Sequence, residues 1–160
     1  MKKWLWTIIS FLIFLVIFRS FLLTSYIVDG QSMEPALPDG ELAFVNVIGD
    51  VVKPVETHDI IFFKVNNQTF VKRVVATPHD YLSVHRQYLY VNGERYSKQR
   101  ADYQDLLNIN GQYGQVLPEK CYIVLGDNLK ESVDSRTFGC VNENEIIGKV
   151  IGHFDLKFNE

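Results

Sequence analysis

The stretch from Trp4 to Leu23 does most to decide what this chain can become. It is built from Leu, Ile, Phe, Val and Trp, interrupted chiefly by Thr7, Ser10, Arg19 and Ser20. About 20 consecutive apolar residues are what a helix needs to cross a bilayer. Trp4 and Trp6 suit one lipid–water interface and Tyr26 the other. Arg19 lies near the far end, where its guanidinium can reach water. Lys2 and Lys3 precede the run, which orients the N-terminus to the cytoplasm and the later residues outward. A cleaved signal peptide shares the basic start and the apolar run. It needs small residues at its cleavage site, whereas this run leads into Leu22-Leu23-Thr24-Ser25-Tyr26-Ile27. The favoured reading is a cytoplasmic tip at 1–3 and a retained single-pass anchor at 4–24.

Beyond the anchor the chain turns acidic. Three of its 16 basic residues fall in the first 24 positions, with no acid, leaving 13 against 19 acidic residues in the remainder. No later cluster of Lys and Arg suggests a nucleic-acid partner. With 47% hydrophobic residues, a packed core is expected. Strand-like runs follow in order: Leu42–Val47, Asp59–Val65, Thr69–Ala76, Tyr81–His85, Tyr88–Val91, Glu94–Tyr96, Cys121–Leu125 and Ile146–Phe154. Asn92-Gly93 is a hairpin signal. Asp102–Leu107 reads as a short helix. Many short strands with little helix predict an all-β sandwich or barrel. Cys121 and Cys140 read either as small buried side chains or as a disulfide. The four histidines, His58, His79, His85 and His153, lack ligand spacing, so neither a metal nor a cofactor is expected.

Three segments carry chemistry. In Gly30-Gln31-Ser32-Met33-Glu34-Pro35-Ala36-Leu37, a serine between glycine and proline is an ordinary turn or an exposed nucleophile. In Val71-Lys72-Arg73-Val74-Val75, alternation sends Lys72 and Arg73 to opposite faces. One cation therefore points to an apolar face unless the strand is at an edge. A buried lysine loses its proton easily and becomes a general base, and Ser-Lys pairs are a known variant of the serine nucleophile. A lysine guarding an exposed strand edge is the alternative. The third segment, Gly126–Gly139, is a solvated loop or a support whose Ser132 orients the lysine and whose acids pair with Arg73 or Arg136.

Together these segments resemble the type I signal peptidases, membrane-anchored Ser-Lys proteases that release exported proteins. The likeness covers nearly the whole chain: Ser32-Met33-Glu34-Pro35, Asp59–Lys64, Lys72–Ala76 with Pro78 and Asp80, and Gly126-Asp127-Asn128 with Ser132, Asp134-Ser135-Arg136 and Phe138-Gly139. It implies a mainly β protein, one N-terminal transmembrane helix followed by an all-β catalytic domain of the signal-peptidase and repressor-autoprotease type, at 25–160. The core would be 25–80 and 119–160, with a small β insertion at 81–118 that is short, as in the enzymes of Gram-positive bacteria.

The resemblance implies Ser32 as nucleophile, Lys72 as base and Ser132 as the hydroxyl orienting Lys72. Asp127 would pair with Arg73 and Asp134 with Arg136. Val28, Met33, Leu37 and Val71 would wall shallow pockets for the small, A-x-A-like residues before the cleaved bond of exported preproteins, at the outer face of the cell membrane and in contact with lipid. Relatives with a serine two residues before the nucleophile use it as an oxyanion donor; Gly30 has no such hydroxyl. His58 and His79 stand where glycine is usual, Ala36 where threonine is, and Leu129 where arginine is common. A dedicated enzyme for one substrate, such as a pilus subunit, and a non-catalytic assembly factor on the same fold are the alternatives.

Overall fold

A computed structural model describes residues 2–20, 23–47, 54–96, 99, 101–107 and 114–155. Helix α1 spans Lys2–Ser20, and its side chains from Trp4 to Phe14 are exposed. Among the described residues, no helix is long and apolar enough to cross a membrane. Residues 21 and 22 of the expected anchor lie outside the described residues. The chain is extended again by β1, Leu23–Ile27, so the anchor read from the sequence overlaps the first strand at Leu23 and Thr24.

The rest is mainly β. After β1 come β2 (Leu42–Asn46), β3 (Ile60–Val65), β4 (Gln68–Ala76), β5 (Tyr81–His85), β6 (Tyr88–Val91) and β7 (Glu94–Arg95). A single helical turn, α2 (Gln104–Leu107), precedes β8 (Gly114–Val116) and β9 (Cys121–Leu125). Helix α3 (Ser135–Phe138), β10 (Val141–Asn142), a 3-10 turn (Glu143–Glu145) and β11 (Ile146–Phe154) complete it. The large sheet has the order β1-β2-β11-β3-β4-β9-β10, and the small one β7-β6-β5-β8.

Each sheet follows from local sequence. Asn66 and Asn67 both hold positive φ at the β3–β4 turn, a conformation asparagine tolerates better than most residues. Asn92 and Gly93 do the same between β6 and β7, as a tight hairpin requires. The two sheets share one apolar cluster. Leu82, Leu89, Tyr103, Leu106 and Leu117 pack with Val75, Ala76, Ile123 and Leu125. Among the described residues, the small sheet has no core separate from this cluster.

Two pairings set up the site. Strand β4 pairs with β3 over Gln68–Arg73, but its ladder to β9 begins only at Arg73, opposite Leu125. Among the described residues, the second edge of Gln68–Lys72 has no neighbouring strand. Cys121 and Cys140 are joined in a disulfide with Cα atoms 5.3 Å apart and a sequence separation of 19. Closing a loop of that size stabilises the fold by about 3 kcal/mol in the chain-entropy description. The loop so closed contains the whole of Gly126–Gly139.

Candidate active site

The β4 edge brings the chemistry together. The N–H and C=O of Val74 both bond toward the β3 side, to Asp59 and His58. Strand alternation then turns the backbone groups of Val71 to the open edge. Its side chain lies with Val28, Met33, Leu37, Ala43, Val45 and Phe62 in one buried cluster. Lys72, on the other face, passes 5.9 Å from the centroid of the Phe70 ring and is only 4% exposed. Its Nζ donates to Ser32 Oγ at 2.8 Å and to the Val71 carbonyl at 2.7 Å. The serine segment thus straddles the edge: Met33 packs beside Val71 while Ser32 meets the lysine.

Burial dominates the electrostatics. It pushes the Lys72 ammonium down to about 8, against an upward pull from the Asp134 charge. Asp134 is fully buried, yet each oxygen is occupied. It accepts from Gly126 N, from Arg136 Nε at 2.8 Å and from Arg136 Nη2 at 2.9 Å. It also caps α3 through Arg136 N. The Arg136 guanidinium reaches the carbonyls of Leu129 and Ser132 as well, tying the loop into a fixed shape. Arg73 makes a bidentate pair with Asp127 at 2.7 and 2.6 Å and donates its third nitrogen to His58 O at 3.0 Å. Both guanidinium pKa values are raised, chiefly by these carboxylate hydrogen bonds.

The Ser132 hydroxyl departs from expectation. It is buried and makes no hydrogen bond; the second partner of the amine is the Val71 carbonyl instead. The Ser132 side chain packs against Gly126, where an added Cβ would lie 2.5 Å from Ser132 Cβ and 2.5 Å from the Ser32 carbonyl oxygen. That oxygen also accepts from Asn128 N at 3.0 Å. Gly126 is therefore one of the points at which the loop and the serine segment touch, a role its place after β9 suggests only once the two are seen together. Gly126→Ala is expected to cost about 1–3 kcal/mol through overpacking, and to lower turnover by separating Ser32 from Ser132. Thermal unfolding and peptide cleavage assayed side by side check this.

Three departures from the resembled pattern, at Gly30, His58 and His79, have backbone explanations. Gly30 sits at φ 87, and its N–H is held by Asp39, so a serine there would be strained. His58 and His79 also hold positive φ, 77 and 71, which accounts for glycine being usual at these positions. His58 stacks on Tyr96, with ring centroids 5.4 Å apart. Among the described residues, no group of three His, Cys, Asp or Glu side chains could hold a metal ion.

A family profile described as "Signal peptidase, peptidase S26" matches residues 1–154. This chain belongs to the signal peptidase family, peptidase S26. Its relatives include signal peptidase IB of Staphylococcus aureus (strain MRSA252), 35% identical over 98% of this chain and 93% of that protein. Signal peptidase I of Bacillus caldolyticus is 35% identical over 93% and 87%. A crystal structure of a signal peptidase I from Enterococcus faecalis covers 61% of this chain and 97% of its own, at 29% identity and a TM-score of 0.45. The chain is accordingly a serine endopeptidase of the signal peptidase I type, and enzymes of that type are membrane-associated.

Proposed function

We propose that this signal peptidase cleaves exported preproteins with Ser32 as nucleophile and Lys72 as general base. The observation that carries the assignment is the 2.8 Å contact between the buried Lys72 Nζ and the half-buried Ser32 Oγ. Neutral Lys72 takes the Ser32 proton as Oγ attacks the scissile carbonyl. The oxyanion that forms is stabilised by the Ser32 N–H, as an oxyanion hole requires. The lysine ammonium then protonates the departing amine. Water, deprotonated by Lys72 in turn, attacks the acyl-enzyme; the Ser32 Oγ–carbonyl bond breaks, Lys72 returns the proton to Oγ, and the signal peptide leaves as a carboxylic acid that ionises in water. Asp134, Arg136, Asp127 and Arg73 hold the surrounding backbone, and Ser132 packs beneath it.

The substrate reading rests on the same edge. Val71 presents its backbone to the unpaired side of β4, where an extended peptide can add as a strand. The side chains of Val28, Met33, Leu37 and Val71 fill the space beneath, so only small residues before the bond fit without displacing them. The exposed apolar helix α1 is the membrane anchor in this reading, N-terminus cytoplasmic and the β domain at 25–160 outside. Its 19 residues rise about 28 Å, just short of the roughly 30 Å hydrocarbon core, and the apolar sequence continues through Phe21 and Leu22.

The test is a pH profile on a signal-peptide substrate. The value of kcat/KM reports the base of the free enzyme. It should rise about tenfold per pH unit below about 7 and level off above about 8, the Lys72 value. A flat profile across that range would remove Lys72 as the base.

A further inference from the structure

We propose that a cleft on the far side of Ser32 receives the first side chains of the substrate after the cleaved bond, and that it selects apolar ones. The proposal rests on the Ser32–Lys72 assignment above. The cleft has a volume of about 350 Å³ and is lined by Pro35, Ala36, Arg73, Tyr96, Asp127 and Leu129 among others. It shares no residue with the buried cluster around Val71.

Three observations give it this occupant. First, Val71 belongs to the cluster, Lys72 reaches Ser32, and Arg73 lines the cleft. The open edge of β4 ends where the β9 ladder starts, at the pair Arg73–Leu125, and Leu125 also lines the cleft. An extended peptide advances about 3.3 Å per residue, as β4 does. If its scissile bond is at Ser32 and its earlier residues lie beside Val71, its next residues lie over Arg73. Second, the serine segment divides the same way, with Met33 in the cluster and Pro35 and Ala36 on the cleft. Third, the opposite wall, Gly126–Leu129, is fixed to the nucleophile itself through Asn128 N and the Ser32 carbonyl.

The lining decides the chemistry. Beside the polar Gln99, the walls include Pro35, Ala36, Tyr96, Tyr103, Leu125 and Leu129, and the exposed lining is mainly apolar. The charges beneath cancel as a pair, and Arg73 Nε, Nη1 and Nη2 already donate to Asp127 and to His58. Two of the five guanidinium N–H groups remain, but the Asp127 carboxylate paired with that guanidinium repels an acidic substrate side chain. Apolar contact is what the cleft offers.

The experiment uses the detergent-solubilised full chain and three substrates with identical residues before the bond. Two are peptides with Leu-Leu or Asp-Asp directly after it; the third is an ester lacking those residues. Wild type should show a KM about tenfold lower for the Leu-Leu peptide. Leu129→Trp, which fills the cleft, should reduce that preference below twofold, and should raise KM for the Leu-Leu peptide far more than for the ester. Ala36→Trp fills it from the opposite wall and serves if thermal unfolding shows Leu129→Trp misfolded. The proposal is overturned if wild type shows no preference, if the filled variants keep it, or if ester and peptide suffer equally. Failure of the dyad reading looks different: Ser32→Ala would then still cleave the ester.

Discussion

Ser32→Ala is expected to lower kcat/KM on a signal-peptide substrate by a factor on the order of a million. In the proposed mechanism Oγ forms the bond to the substrate carbonyl, so no residual covalent route remains. What survives is binding and the oxyanion donor, which act on a reaction that water must then perform unaided. The fold should tolerate the change. Ser32 is half-buried in a turn, and the lost contact leaves Lys72 its bond to the Val71 carbonyl. The measurement is cleavage of a synthetic substrate, with unfolding temperature as the control. Wild-type turnover in a well-folded Ser32→Ala protein would end the nucleophile assignment.

Lys72→Met is expected to reduce turnover on the order of 10⁴-fold or more, because nucleophile and base act as a unit, and at the same time to stabilise the fold. Below pH 8 the wild-type lysine carries its proton in both folded and unfolded chains, and the fold bears the full cost of burying that charge. Between about 8 and the ordinary lysine value of 10.5, only the unfolded chain binds the proton, so wild-type stability rises with pH across that window. The gap corresponds to roughly 3 kcal/mol at neutral pH. Methionine has nearly the same length and no charge to desolvate. Denaturant unfolding at pH 7 should therefore show a more stable, inactive protein, with the difference shrinking toward pH 10. A variant less stable than wild type at pH 7 would contradict the buried-charge account.

Much of this site can be read from the residues alone because strand alternation is a strict rule. Lys72 and Arg73 had to diverge, and the flanking valines made one of the faces apolar. The hairpin at Asn92-Gly93 and the strands β2 to β6 likewise follow from local pattern. Other features depend on distance in space. Whether Cys121 and Cys140 bond depends on how β9 lies against the end of α3. Strands such as β10, two residues long, carry no periodicity to find. The loop pattern and the resemblance both offer Ser132 as the partner of Lys72, whereas the amine bonds the Val71 carbonyl, which β9, ending opposite Arg73, leaves open. Helix α3 was within reach: Asp134 is a capping residue and Gly139 a natural terminator at φ 79, with Phe138 supplying the apolar contact, against Phe63 and Phe70. The polar density of Gly126–Gly139 hid that signal.

The Cys121–Cys140 bond has a consequence for when the enzyme becomes complete. The ring it closes carries Asp127, Ser132, Asp134 and Arg136. Such a bond forms where an oxidant is available and is kept open as two thiols where glutathione or thioredoxin dominates. A newly made chain in the cytoplasm thus holds these four residues on a free tether. With the β domain outside, as proposed, the same chain gains a covalent brace once it reaches an oxidising compartment. In that orientation the last step of maturation is a change of compartment, recorded in a single bond.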